Sequence, residues 1–370
     1  MGQKQERKTV PGVGRRFWMS FTDPTSPAFR LVTLINYFPD YISFRVKLMR
    51  STYGQIIPNG GFYNRKFVAP YLASFFSPRQ RLTIQSHLCD ALERAFSPSA
   101  IRRLEAGWKL WSCRDEGHEQ SVSLSFAKRT VLEGDLTLEH SLDGQVLHRL
   151  TFAFVPGDLL KISSQQILFI GGSQGLRHAT ERMRTAARQN GEISPVTMTL
   201  IAARAICTVM GIEHLYGVRA AYQSVVYCNG SAAERSYDRV WQAHGGQEQE
   251  TCFVLSVEDS ESIDKPVCGK NRSRTRRKRR LKNEILDQIR LNLMELKSDT
   301  EVLREPSLMS IRQAEPEHLR HGNIIVGTGE TEPIHVKTLF RSLKRKIGPH
   351  IAAGIAPNYS RIDLLAEEEG

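Results

Sequence analysis

The amino-acid sequence predicts an α+β protein: a helical N-terminal part, an antiparallel sheet with flanking helices, and a basic helical segment toward the C-terminus. Three observations carry this. Ser77-Pro78 and Ser97-Pro98 open runs whose apolar residues recur at helical spacing. At Trp108 the period changes to strand-like alternation. Between Lys270 and Lys282 there are nine Lys or Arg and no acid.

Residues 1–28 contain Pro11, Gly12, Gly14, Pro24 and Pro27 and are expected to form a flexible basic lead. Apolar positions then return at spacings of three and four from Leu31 through Leu48, which predicts a helix. Serine accepts from a free backbone N–H at a helix start and proline fits the first turn, so the two Ser-Pro pairs mark two further helices. Residues 29–106 therefore read as a helical region.

From Trp108 the segments WKLWSC, SVSLSFAKRTV, DLTLEHSL, VLHRLTFAFV and QQILFIGG have strand length and alternation, and Asp143-Gly144 supplies a tight hairpin turn. They predict a five-stranded antiparallel meander. A helix over Leu176–Arg188 follows, then a turn at Asn190-Gly191 and a helix from Ser194-Pro195 with Leu200, Ala203, Cys207 and Met210 on one face, ended by Gly211. The stretch IEHLYGVRAAY reads as another strand. Tyr237 and Trp241 are four residues apart and share a helix face that Gly245-Gly246 ends; large aromatics at that spacing point to core anchoring. The sheet and these helices place an α+β core at residues 107–263.

A chain of 370 residues with 40% hydrophobic content carries enough apolar material for a real core, which excludes a wholly disordered protein. No apolar run reaches signal-peptide length after the basic N-terminus or the length of a membrane span elsewhere, so neither secretion nor a transmembrane helix is expected. The six cysteines are scattered, with no CxxC pair and no histidine at metal-ligand spacing; they read as reduced thiols, and no metal site is expected.

The formal charge is +12, and nine of those charges come from Lys270, Arg272, Arg274, Arg276, Arg277, Lys278, Arg279, Arg280 and Lys282. The basicity is one segment rather than a property of the whole surface. Nine cations without an interleaved acid repel one another, so the run implies an anionic contact. Three are open: phospholipid headgroups, nucleic-acid phosphates, or acids and phosphates held by the protein body itself. No aromatic residue within the run stacks on bases and no nucleic-acid motif is present, which stands against sequence-specific nucleic-acid binding, but the residues alone do not choose among the three. Downstream, Ile285, Ile289, Leu293 and Leu296 mark an amphipathic helix, so residues 264–297 form a basic, helical segment. Residues 298–370 mix acids, Gly, Pro and a second small basic cluster and are expected to be partly disordered.

Taken in order, RKFVAPYLASFFSPRQRLTIQSHLCDAL, ILFIGGSQG, the helix after Ser194-Pro195, HLYGV, SYDRVWQAHGG and KNRSRTRRKRRLKNEIL resemble the VirK/YbjX family over about residues 30–297. The most specific parts are Ile170–Gly175, Tyr237–Trp241 with Gly245-Gly246, and the basic cluster. The resemblance implies a bacterial virulence-associated protein linked to envelope behaviour and resistance to cationic peptides, in the cytoplasm or at the inner face of the inner membrane, with no known reaction.

The order of sheet, glycine-rich turn, helices and strand is also similar to the N-acetyltransferase-like fold. That likeness implies an acyl-coenzyme A site in which Gly171, Gly172 and Gly175 permit close backbone approach, beside Gln174, while Arg177, Arg182 or Arg184 pairs with phosphates and the helix start at Ser194 offers an alternative anion site. His214, Tyr222 and His244 are the candidates for acid–base work, against the plainer reading of satisfied structural residues. Two functions stay open: an envelope-associated accessory protein whose basic segment contacts anionic lipid or a partner, and an acyltransferase-like enzyme using acyl-coenzyme A or acyl carrier protein.

Overall fold

The computed structural model describes residues 27–57, 63–176, 179–224, 231–258 and 272–298. All of them fall within one unit, Met1–Ser307. Residues 1–26 of the predicted N-terminal lead and the C-terminal extension after residue 298 lie outside the described residues, while Pro27 and Ala28 of that lead already belong to the first helix.

Two helices, α1 (Pro27–Asn36) and α2 (Phe38–Arg50), replace the single helix predicted over Leu31–Leu48. Pro39 explains the break, because it sits in the first turn of α2 and carries no N–H to continue a preceding helix. The short α3 (Thr52–Ile56) follows, then α4 (Pro78–Ala95) and α5 (Pro98–Ala106). Both Ser-Pro starts are capped as expected. Ser77 accepts from the Gln80 N–H and the Gln80 side chain accepts from the Ser77 N–H, a reciprocal capping box, while Ser97 accepts from Ala100 at 3.1 Å.

The predicted meander is present as β1 (Trp108–Asp115), β2 (His118–Phe126), β3 (Leu136–Leu142), β4 (Gln145–Pro156) and β5 (Gln166–Gly175), each antiparallel to the next. Asp143 and Gly144, at φ 52° and 73°, make the left-handed two-residue turn between β3 and β4. Helices α6 (Thr180–Gln189) and α7 (Pro195–Met210) carry the chain across to β6 (Leu215–Val218), which lies parallel to β5. The strand is shorter than the predicted Ile212–Tyr222, and α6 starts four residues later than predicted. After α8 (Ser231–Ala243), β7 (Gln247–Glu248) and β8 (Cys252–Leu255) add an edge hairpin that the sequence pattern did not disclose. The sheet has the order β1-β2-β3-β4-β5-β6-β8-β7. The last element, α9 (Arg272–Ser298), packs on α7 and on the edge strand β1.

Successive residues of a strand face opposite sides, and β4 uses both. Phe152 and Phe154 join Leu124 and Leu136 against Ile206 and Met210 of α7 and Leu293 of α9. Ala153 and Val155 join Ile167 and Phe169 on the other side, under Phe76 and Ile84 of α4 and the loop before it. The buried Ile285, Ile289, Leu293 and Leu296 dock α9 on the body, each side chain contributing about 2 kcal/mol by its burial. Trp108 and Asn292 add a polar lock: the indole donates to the Asn292 carbonyl at 3.3 Å and the Asn292 amide donates to Leu110 at 2.7 Å.

A buried charge cluster ties the N-terminal helices to the sheet. Lys66 and Asp135 are 1% and 2% exposed and lie 2.5 Å apart. Tyr53 donates to the same carboxylate at 3.1 Å, and Tyr71 donates to its second oxygen. Burial and the Asp135 charge push both phenols well above their ordinary range, which keeps them protonated as donors.

Candidate functional site

The glycine-rich end of β5 is the first candidate. β5 and β6 pair only over Leu168–Ile170, so from Gly171 to Gly175 the strand runs on with β4 as its one strand neighbour. Gly171 is the extra residue of a bulge, since Thr151 pairs with Gly172 and Phe152 with Ile170. A Cβ at Gly171 would overlap the carbonyl oxygens of Glu133 and Leu72, and one at Gly172 would overlap the Glu133 carboxyl. Leu72, fully buried, holds an uncommon left-handed backbone at φ 65° where it presses on the bulge. These close approaches account for both glycines. Gln174 donates to Glu133 Oε1 at 2.6 Å, and Gly175 is exposed. Arg177 lies outside the described residues.

Where β5 leaves β6, residues of α8 fill the space. Ser173 donates its backbone N–H to the Tyr237 hydroxyl. Trp241 is fully buried, with its ring 2.8 Å from where a Cβ on Gly217 would stand and its indole N–H on the Val218 carbonyl at 2.9 Å. Asp238 accepts from the Ala220 N–H at 2.9 Å. The Tyr-Asp-x-x-Trp motif thus clamps α8 over the end of the parallel pair.

Behind Ser173 runs a chain of buried polar groups. Its hydroxyl meets His148 Nε2 at 3.1 Å, and His148 Nδ1 meets Thr199 Oγ1 at 2.9 Å. Thr199 donates to the Val196 carbonyl, so the imidazole N–H must sit on Nδ1 and Nε2 must accept from Ser173. Alongside, His140 Nε2 meets Gln120 Oε1, which also accepts from Asn190, so His140 donates through Nε2 and its Nδ1 is buried without a partner. Burial holds both imidazoles neutral, His140 down to about 4 and His148 down to about 3, the latter also through the fields of His140 and His244.

Glu133 has the opposite displacement. It is 4% exposed, Oε2 has no hydrogen-bond partner, and burial pushes its carboxyl up to about 7 against the pull of Gln174. No local pattern in the sequence marks it. The signs of the two effects differ. Between pH 6.5 and about 4 the unfolded histidines take up protons that the folded ones refuse, so acid removes stability. Between pH 4.5 and 7 an unfolded Glu133 ionises while the folded one stays protonated, so rising pH removes stability. Two imidazoles at about 1.4 kcal/mol per pH unit each outweigh one carboxyl, so stability is expected to climb from pH 4.5 to 6.5. Glu133→Gln is expected to steepen that climb. Urea unfolding of both proteins across pH 4.5 to 7.5 checks this, and parallel curves would refute the assignment to Glu133.

Of the acid–base candidates, His214 and Tyr222 stand beyond opposite ends of β6. The His214 carbonyl accepts from Leu168, and Tyr222 lies edge-on to Phe75 at 5.8 Å. His244 closes α8, its N–H on the Trp241 carbonyl. Ser194 caps α7, accepting from the Thr197 N–H at 3.3 Å. Among the described residues no group of three or more His, Cys, Asp or Glu is placed to hold a metal ion.

The basic run divides in two. The helix turns part of it toward the body: Lys282 is buried, and Arg274 makes a two-pronged pair with Glu192 on the turn after α6. Arg279 and Lys278 are half-buried. Arg272, Arg276, Arg277 and Arg280 are exposed, and only Arg280 has an acid, Glu284 at 3.0 Å, among the described residues. Lys270 lies outside them. On α6, Arg182, Arg184 and Arg188 are also exposed, Arg184 paired with Glu181. Along the outward strip of α9, Arg276 and Arg280 are followed at spacings of seven, four and three by Asp287, Leu291 and Met294, the last two 67% and 52% exposed.

A family model described as a protein of unknown function, DUF535, matches residues 39–294, more than half of the chain. The chain belongs to the DUF535 family. That span includes the β5 bulge, the α8 clamp and the arginine face of α9, so all three are features of the DUF535 part of the protein. No curated protein and no solved structure matches this DUF535 chain. Among the described residues, no helix is long and apolar enough to cross a membrane.

Proposed function

We propose that this chain is an accessory protein of the VirK/YbjX type, the family that DUF535 denotes, and that it works at the bacterial envelope by holding the outward face of α9 against an anionic membrane surface. One observation carries the reading: exposed Arg276 and Arg280 share one strip of α9 with exposed Leu291 and Met294 further along it, past Asp287. Cations beside bare apolar side chains suit the boundary between headgroups and acyl chains, whereas a phosphodiester backbone offers nothing to the apolar pair. Each arginine near an anionic leaflet contributes about 1 kcal/mol, so four of them make a contact that salt can switch off.

The acyltransferase-like alternative draws on the divergence of β5 and β6. Tyr237 and Trp241 occupy that divergence, and the membrane reading is preferred for this reason. Flotation with vesicles is the test. The chain is expected to float with phosphatidylglycerol-containing vesicles at low salt, to be released at high salt, and to ignore phosphatidylcholine alone. Equal binding to both lipids, or binding to duplex DNA with none to vesicles, refutes it.

A further inference from the structure

A second site lies away from both regions. On the outer side of β2 and β3, facing away from α7, a cleft of about 290 Å³ opens beside the end of α5. Its floor is hydroxylic. Gln120, Val122, Leu124 and Phe126 point into the core, so Ser123 and Ser125 stand on the outer side, with Thr137 of β3 next to Ser125 in register. Neither serine hydroxyl has a hydrogen-bond partner among the described residues.

Its rim is cationic. Lys128 and Arg129 are exposed on the loop after β2. Lys128 gives one hydrogen bond to the Glu105 carbonyl at 3.1 Å, which offsets the negative end of α5 and leaves further N–H donors. The one acid of the lining, Glu139, is bound to Arg149 at 2.5 Å, so it does not cancel the two rim charges. A guanidinium fork, an ammonium and two free hydroxyls therefore converge on a polar hollow.

We propose that this cleft binds the phosphate group of a phosphomonoester. Phosphate presents several strong acceptors to those donors, and charge-assisted bonds of this kind are the strong ones. The volume exceeds that of a phosphate alone, so the site takes a small hydrophilic body with it, such as a phosphorylated polyol, in the manner of pockets that orient ligands through a few placed polar groups. The same chemistry is offered by a soluble ester and by a lipid headgroup.

Calorimetric titration of the full chain with inorganic phosphate and glycerol 3-phosphate tests the soluble source. Flotation with phosphatidate vesicles, in an Arg276→Gln/Arg277→Gln background that weakens the α9 contact and with the same background carrying Arg129→Ala beside it, tests the lipid source. Saturable binding is expected in at least one arm. Arg129→Ala is expected to weaken it about tenfold, as loss of a charge-assisted bond does, and Ser125→Ala to weaken it less. Arg129 is exposed and the half-buried Ser125 hydroxyl has no partner among the described residues, so melting temperatures should not move. Absence of saturable binding in both arms overturns the proposal, as does binding that survives Lys128→Ala and Arg129→Ala. Failure of the α9 contact would leave the calorimetric arm unaffected, so the two proposals fail separately.

Discussion

Asp135→Asn is expected to destabilise the fold by about 4 kcal/mol, the range for breaking a buried ion pair from one side. Lys66 is 1% exposed and its ammonium lies 2.5 Å from the carboxylate that would be lost. The asparagine keeps the volume and one acceptor but removes the anion that lies against the buried ammonium, and the Tyr53 and Tyr71 hydroxyls lose their anionic partner. Replacing both members by apolar residues removes the charge as well as its partner. Lys66→Met/Asp135→Leu is therefore expected to cost less than Asp135→Asn, because desolvating two charges is itself expensive. Urea unfolding of the two variants decides it. A single substitution that costs less than about 1 kcal/mol would mean that Lys66 finds water or another anion, and that the cluster does not hold the N-terminal helices to the sheet.

Trp241→Ala is expected to cost about 3 to 5 kcal/mol, the usual loss for a large buried aromatic. Its ring lies on Gly217 and stands T-shaped to Tyr237 at 6.1 Å, and its N–H is the partner of the Val218 carbonyl. Truncation leaves a cavity at the end of the parallel pair and an unpaired carbonyl beside it. Trp241→Phe fills most of the cavity but not the hydrogen bond, so about 1 to 2 kcal/mol is expected. Because Tyr237 reaches Ser173 from the same helix, amide exchange at Ser173 is expected to accelerate in Trp241→Ala. An unchanged exchange rate there, or a loss below about 1 kcal/mol, would show that α8 is held by other contacts.

The legible parts of this fold were those written in local chemistry. Ser77, Ser97 and Ser194 cap helices because hydroxyl acceptors and proline at the next position are a short-range device. Asp143-Gly144 makes its turn because both residues tolerate a left-handed backbone. The β7–β8 hairpin escaped because two strands of two and four residues leave too little alternation to detect. The site was less legible. The basic run was visible as charge, but its division was not, since only tertiary packing places Glu192 against Arg274 and buries Lys282. Glu133 carries no signature at all, because its raised pKa arises only when the β2–β3 connection folds onto the β5 bulge. His214 and Tyr222 are close in sequence, but the extended strand between them sets them apart.

On the proposed function, the outward arginines of α9 form the membrane contact. Flotation of Arg276→Gln/Arg277→Gln beside the unaltered chain, on phosphatidylglycerol vesicles at about 0.1 M salt, tests it most directly. Both side chains are exposed and lack an acid partner among the described residues, so the variant should fold and melt as the parent does. At about 1 kcal/mol for each lost charge, vesicle affinity is expected to fall roughly thirtyfold. Undiminished flotation of the variant would contradict the claim.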